Sequence, residues 1–304
     1  MNVQTRPSML YRPFQPTFEK MLYSYSEYKP SLSAPFGDGI QFYGFYMDDL
    51  NVNQMFVIPE GCMSLVICCN RDRPSANICG TLYKGRQGLF VRSECEYFVI
   101  RFLPGYAEHF FRYPIGEFSE LEIPVEDVLP NAAELLERVV EKNTFHERVQ
   151  AFEEFYGAYI RNRLEIPRLI EYLTDQIISS HGTLHVNDLS QDTGYSSRYL
   201  IKAFERYIGA SPKLFSRIIR FQHVLESLEN TCYKETLEQI FELGYFDQNH
   251  FIKEFKEFSL TTPKKYTIQG TTGNLFNEAF KDGQNGISVV VNPKKTAFHS
   301  KNSE

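Results

Sequence analysis

Hydrophobic and polar positions follow two different rhythms along this chain of 304 residues. Up to about residue 125 the apolar runs are short, aromatic and β-branched, as in Ile40-Gln-Phe-Tyr-Gly-Phe-Tyr46, Met63-Ser-Leu-Val-Ile67 and Tyr97-Phe-Val-Ile-Arg-Phe102. Gly, Pro, Asn and Asp punctuate them, which predicts strands joined by turns. Several strands at this spacing predict a small barrel or sandwich. From Pro130 the rhythm becomes helical. Leu135, Leu136, Val139 and Val140, then Val149, Phe152, Phe155, Tyr156, Tyr159 and Ile160, recur at the spacing of one helix face. The break at Asn143-Thr144 divides them into two helices. Their apolar stripe has two uses open to it: covering the β-rich part, or pairing with a second copy as a dimer surface.

Pro167 opens a further helix at its first turn, where a missing N–H costs nothing. Leu169, Ile170, Leu173, Ile177 and Ile178 give that helix its inward stripe. Short helices then alternate with Gly- or Pro-marked turns to about Ile268. Residues 269–304 are rich in Gly, Asn and Lys and read as a flexible tail, with Ile287-Ser-Val-Val-Val291 as a single strand. The expected division is a β-rich unit over 10–130, a helical segment over 131–164, an all-α unit over 165–268 and the tail over 269–304.

Within the all-α unit the chain repeats itself. Arg198-Tyr-Leu-Ile-Lys-Ala-Phe204, followed by Tyr207 and Ser211-Pro212-Lys213, returns 51 residues later as Asn249-His-Phe-Ile-Lys-Glu-Phe255, followed by Phe258 and Thr262-Pro263-Lys264. A Gly-Tyr pair precedes each copy, at Gly194-Tyr195 and Gly244-Tyr245. Each copy reads as a short positioning helix, a glycine turn and a second helix: two helix-turn-helix units in one polypeptide.

The second helix of each unit divides into two faces. In the first copy Tyr199, Leu200, Ala203, Phe204 and Tyr207 form the stripe expected to face the core. Ser197, Arg198, Ile201, Lys202, Glu205 and Arg206 face outward, and Ser196 or Ser197 is placed to cap the helix. In the second, Phe251, Phe255 and Phe258 point inward and Asp247 is the cap. Gln248, Asn249, Ile252, Lys253 and Lys256 point outward. Such a face suits the major groove. Gln and Asn pair with adenine, Arg and Lys with guanine, and Ile meets a thymine methyl. A merely solvated surface is the alternative. Between the copies Ser211-Pro212 caps and starts a long helix to about Glu229, and Lys213, Arg217 and Arg220 are expected to add positive charge near the first reader.

The run Gly194-Tyr-Ser-Ser-Arg-Tyr-Leu-Ile-Lys-Ala-Phe204, Gly209-Ala-Ser-Pro212, and Gly244-Tyr-Phe-Asp-Gln-Asn-His-Phe-Ile-Lys-Glu-Phe255 with Thr262-Pro263 and Tyr266 resemble the AraC/XylS family of transcription regulators over about residues 167–268. The resemblance implies that Arg198, Ile201 and Lys202 contact bases or backbone in the first unit, and that Gln248, Asn249, His250, Ile252 and Lys253 do so in the second. Two departures stand out. Gln239-Ile240 replaces the family's usual Ile-Ala pair, with Thr236 and Gln239 placed for a capping box, and Val224 replaces a usual Ala.

Upstream, Tyr11-Arg-Pro-Phe-Gln-Pro16, Pro59-Glu-Gly-Cys62, Phe102-Leu-Pro-Gly105 and Ile123-Pro-Val-Glu-Asp-Val128 look like the regulatory domain of one branch of that family. The fold class expected is therefore α+β: an N-terminal cupin-like barrel with helices, then an all-α domain of two helix-turn-helix motifs joined by a long helix. The function implied is a sequence-specific DNA-binding regulator, an activator by family precedent. RNA polymerase, a small-molecule effector and a second copy of the chain are the further partners it leaves open.

Charge qualifies this picture. Net charge is −6, and residues 165–268 hold 12 Lys/Arg against 14 Asp/Glu, while residues 1–164 hold 16 against 21. DNA affinity must then rest on where the cations sit rather than on their sum. A ligand- or partner-binding sensor without specific DNA affinity is the rival reading. No apolar run approaches the roughly 18–20 residues of a membrane span and no signal peptide is evident, so a cytoplasmic protein is expected.

Catalytic chemistry finds little support. His109 is the one histidine between residues 10 and 125, too few for a metal-holding cupin. His181 and His185 are split by Gly182-Thr183, and neither a phosphate-gripping Gly loop nor H-E-x-x-H occurs. No enzyme, metal or cofactor is expected. Cys62, Cys68, Cys69, Cys79, Cys95 and Cys232 read as buried reduced thiols, with a redox role for Cys68 and Cys69 as the alternative. Phe42, Tyr46, Leu65, Ile100 and Phe102 would line an effector pocket or simply fill the barrel, and Arg92 and Arg101, if inward, would suit an anionic ligand.

Overall fold

The computed structural model of the chain describes residues 11–16, 23–29, 39–47, 54–90, 92–111, 113–160, 167–230 and 233–272. Cys232 and the expected strand at Ile287–Val291 lie outside them, as does the expected tail beyond residue 272.

The N-terminal part is an antiparallel sheet. Strands β1 (Tyr23–Tyr28), β2 (Ile40–Met47), β4 (Met63–Cys68), β5 (Ser75–Cys79), β7 (Cys95–Phe102) and β8 (Glu122–Pro124) form six strands in the order β1-β2-β7-β4-β5-β8. Strands β3 (Gln54–Val57) and β6 (Arg86–Phe90) pair separately. The expected barrel thus takes the form of a large sheet and a two-stranded ladder.

Period-two alternation sends side chains of the central strands to opposite faces. Phe42, Leu65, Ile67, Phe98, Ile100 and Phe102 form one face and pack under two helices, α1 (Ala132–Val140) and α2 (Phe145–Ile160). Tyr43, Phe45, Met47, Val66, Tyr97 and Val99 form the other, with Val57 of β3 against it. Both faces are covered, so the central strands are mostly apolar rather than alternating, with Gln41 and Arg101 as buried polar exceptions. The helical stripe of Leu135, Leu136, Val139, Val140, Val149, Phe152, Phe155 and Tyr156 is used in this core.

Local chemistry fixes the fit of helices to sheet. Gly44 gives the Phe145 ring room; a Cβ there would lie 2.9 Å from it. Arg148 on α2 meets Glu96 on β7 at 2.8 Å. Cys68 and Cys95 form a disulfide, which corrects the expectation of reduced thiols for this pair. Antiparallel pairing brings β4 and β7 alongside each other, so two cysteines distant in sequence meet at one sheet end. Cys62 and Cys69 are free and buried, and Cys79 is free and half-buried.

The C-terminal part is helical: α3 (Arg168–Ser179), α4 (Val186–Thr193), α5 (Ser197–Ile208), α6 (Pro212–Asn230), α7 (Tyr233–Glu238), α8 (Gln248–Ser259) and α9 (Pro263–Thr272). Pro167 sits one position earlier than expected, as the N-cap of α3. Two cores flank α6. Leu173, Ile177, Leu189, Leu200, Phe204 and Phe215 fill the first, and Phe221, Leu225, Phe251, Phe255, Phe258 and Tyr266 the second. Among the described residues no helix is long and apolar enough to cross a membrane.

The two parts meet over a polar seam. Gln222 of α6 accepts from the Phe14 N–H at 2.8 Å and donates to the Pro59 carbonyl at 2.8 Å. Gln15 binds Ile58 through both its amide atoms. Thr81 donates to the Ile208 carbonyl at 3.1 Å, while Tyr83 and Ser119 donate to that of Gly209 at 2.7 and 2.5 Å. The Gly85 N–H donates to the Glu257 carbonyl on α8 at 3.2 Å.

Candidate nucleic-acid interface

Each expected second helix forms where the sequence places its start. Thr193 ends α4, and Gly194 takes the left-handed backbone (φ 73°) that an L side chain resists. Ser196 then caps α5, its Oγ accepting the Tyr199 N–H at 3.3 Å. Asp247 does the same for α8, accepting the His250 N–H at 2.7 Å. Ser211 caps α6 through the Leu214 N–H at 3.2 Å. Two equivalent helices are thereby held on either side of α6, whose 19 residues span about 28 Å.

The inward row of α5 is Leu200, Phe204 and Ile208, all buried, with Ala203 and Tyr207 half-buried against them. Tyr199 does not join it, contrary to expectation: it is 51% exposed and stacks on Tyr195 at 4.9 Å. The i, i+4 row through Leu200 sets the buried line, and Tyr199, one residue earlier on the first turn, falls off its edge. Arg198, Lys202 and Arg206 are exposed; Ser197 and Ile201 are half-buried. The Ser197 hydroxyl lies 3.5 Å from Asn187 on α4. Arg206 lies 3.8 Å from Glu108, so the last turn of α5 faces the N-terminal part.

On α8 Phe251, Phe255 and Phe258 are buried as expected. Gln248, Asn249, His250, Lys253 and Lys256 are exposed. Ile252 is half-buried and packs partly on the core.

Glu254 is the residue that sequence reasoning missed. It is 2% exposed and lies between two arginines of α6. Arg217 Nε donates to it at 2.7 Å, and Arg220 Nη2 donates to its two oxygens at 2.8 and 3.0 Å. A second Arg217 nitrogen reaches Glu257 at 2.7 Å. Burial pulls the Arg217 pKa down, but the two carboxylates outweigh it and hold the guanidinium above its usual value. Arg220 also lies over the Tyr245 ring at 4.7 Å. These arginines were expected to add charge near the first reader. They are instead neutralised within the second, because α8 crosses α6 on the side that carries them. The available signal was a single acidic residue inside an otherwise apolar row.

The second unit's entry also differs from expectation. Helix α7 starts at Tyr233, so Thr236 lies within it, fully buried, and Gln239 falls beyond its end. A capping box between them does not form. Ile240 is buried in the second core, which accommodates the bulkier side chain.

The residues expected around an effector pocket do not gather in one place. Phe42, Leu65, Ile100 and Phe102 fill the helix-covered core, and Tyr46 is half-buried. Arg101 is on the opposite face of β7, buried against Glu60 at 3.0 Å and over the Tyr43 ring at 4.8 Å. Arg92 is exposed and bonds the Arg73 carbonyl and the Ser75 hydroxyl. A cavity of about 30 Å³ lies on the Arg101 face, lined by Tyr43, Glu60, Cys62, Ser64, Leu82 and Arg86 among others. Among the described residues no group of three or more His, Cys, Asp or Glu side chains is placed to hold a metal ion.

Comparison with known proteins agrees with this arrangement. Residues 189–268 match the family model described as a helix-turn-helix domain, and residues 27–124 match a domain of unknown function (DUF6597). No curated protein sequence matches the chain. Among solved structures, ToxT from Vibrio cholerae O395 is similar at 12% identity, over 76% of this chain and 97% of that one, with a TM-score of 0.39. Unsaturated fatty acid-bound wild-type ToxT from Vibrio cholerae strain SCE256 is similar at 11% identity, over 80% and 93%, with a TM-score of 0.34. Likenesses this loose transfer no feature to the present chain. With the doubled unit, its two caps and the two model matches in place, residues 189–268 carry a helix-turn-helix domain, and residues 27–124 carry the domain of unknown function DUF6597.

Proposed function

We propose that this protein is a sequence-specific transcription regulator, an activator, that lays α5 and α8 into successive major-groove segments of one duplex. The observation that carries the reading is the pair of matching outward faces. Each recognition helix exposes cationic or amide side chains on its N-terminal half, Arg198 and Lys202 on α5, and Gln248, Asn249 and Lys253 on α8. Those positions are where a helix-turn-helix reads base edges. We assign base or backbone contacts to Ser197, Arg198, Ile201 and Lys202, and to Gln248, Asn249, His250, Ile252 and Lys253. Arg206, turned toward Glu108, joins them as a phosphate contact once that weak surface pair opens. The single helix α6 lets one chain span two groove segments about 34 Å apart without a dimer.

The N-terminal domain holds the C-terminal ends of both recognition helices, through Thr81, Tyr83 and Ser119 on one and Gly85 on the other. Their N-terminal halves stay open. A small-molecule effector acting on this domain would therefore reset the readers by moving residues 81–85. Genome-wide mapping of bound sites, with and without candidate metabolites, tests the reading. Discrete sites sharing a two-part motif spaced by about one helical turn are expected; scattered occupancy without a motif contradicts it.

A further inference from the structure

The 51-residue repeat extends to a feature that the polar faces do not explain. The residue just before each cap is an exposed aromatic: Tyr195 before Ser196, 47% exposed, and Phe246 before Asp247, 84% exposed. Such a residue ordinarily packs as a hydrophobic staple on the fourth residue of the helix. Here those fourth residues, Leu200 and Phe251, are buried in the two cores while Tyr195 and Phe246 stand in solvent. Each exposed aromatic is instead tied to the third residue of its helix. The Tyr195 ring stacks on Tyr199, and the Phe246 N–H donates to His250 Nδ1 at 3.4 Å. The entrance of α5 thus presents a stacked ring pair to solvent, and the entrance of α8 presents the single Phe246 ring, its backbone held by the exposed His250.

The surroundings say what such a surface fits. Over the first two turns of α5 and α8 the exposed charges are Arg198, Lys202 and Lys253, and the carboxylate there, Glu254, is buried and paired. Apolar rings beside unopposed cations suit a polyanion that also offers apolar faces. Duplex DNA does so through the deoxyribose rings between its phosphates.

We propose that Tyr195, Tyr199 and Phe246 are DNA contacts, packing on the deoxyribose backbone that flanks the groove each recognition helix enters. This rests on the regulator reading above and adds to it a sequence-tolerant apolar anchor for each reader. The anchor removes apolar surface from water and releases no counterions, so it is independent of salt.

The test uses the full chain and two labelled duplexes of equal length, one recovered by selection from a random library and one of random sequence. Phe246→Ala and Tyr199→Ala are each expected to weaken binding to both duplexes about tenfold. Their salt dependence and thermal midpoint should stay as in the unmodified chain, and Phe246→Leu should retain most of the affinity. Affinities within about twofold of the unmodified chain on both duplexes would overturn the proposal. So would full affinity with lost reporter transcription, which would assign the rings to a protein partner. Failure of the unmodified chain to prefer any selected sequence would count against the regulator reading instead, while the random duplex would still report the ring contact.

Discussion

Arg220 on α6 grips Glu254 on α8 through three hydrogen bonds, from Nη2 at 2.8 and 3.0 Å and from Nε at 3.2 Å, with Glu254 almost wholly removed from water. Arg217 shares the same carboxylate, so two arginines of α6 tie α8 to that helix. Removing the carboxylate strands the Arg220 guanidinium and leaves Arg217 with Glu257 alone. Glu254→Ala is expected to cost about 3–5 kcal/mol, the penalty for breaking a buried pair. Urea denaturation of the variant would show a lowered midpoint at unchanged slope.

Because these arginines are already paired, they should release few counterions on binding DNA. Arg217→Gln combined with Arg220→Gln is expected to leave the salt slope of DNA binding unchanged while lowering stability. Lys202→Ala and Lys253→Ala should do the reverse. Each should weaken binding by about 1–3 kcal/mol if it meets a base, or reduce the salt slope by about 1 if it meets a phosphate. Anisotropy titrations at several salt concentrations separate the two classes.

One part of the seam between domains is a set of neutral hydrogen bonds to the end of α5. Gly209 (φ 81°) turns its carbonyl toward both Tyr83 and Ser119. Tyr83→Phe with Ser119→Ala should cost about 1 kcal/mol per bond lost. Amide exchange over residues 205–212 is expected to quicken, with the β-sheet amides unaffected.

A pH effect follows from His223 on α6, whose ring stacks on His181 at 3.9 Å. Burial first, then the neighbouring imidazole, lowers the His223 pKa from its ordinary 6.5. The unfolded chain therefore takes up this proton before the folded one, and stability falls as pH drops below about 6.5. His223→Gln should flatten the fall of the thermal midpoint between pH 7 and 5. An unchanged profile would show that another group governs it.

Much of the C-terminal unit could be read in advance because its cues are local. The caps Ser196, Ser211 and Asp247, the glycine turns and the buried phenylalanines are all written within a few residues of where they act. What escaped was set by partners distant in sequence. Arg217 and Arg220 looked like free cations until α8 brought Glu254 between them, 34 residues from Arg220. Tyr199 fits a helical stripe on spacing, but the first turn of α5 overhangs its core. Cys68 and Cys95 meet through strand pairing alone. The clasp of Thr81, Tyr83 and Ser119 on α5 uses hydroxyls and carbonyls, which carry no pattern in one sequence.

The central claim is that α5 and α8 read sequence together, and an equilibrium titration of the full chain against selected and random duplexes at physiological salt tests it most directly. The account predicts at least about a 1,000-fold preference for the selected duplex, with affinity falling steeply as salt rises. Equal affinity for the two duplexes would contradict it.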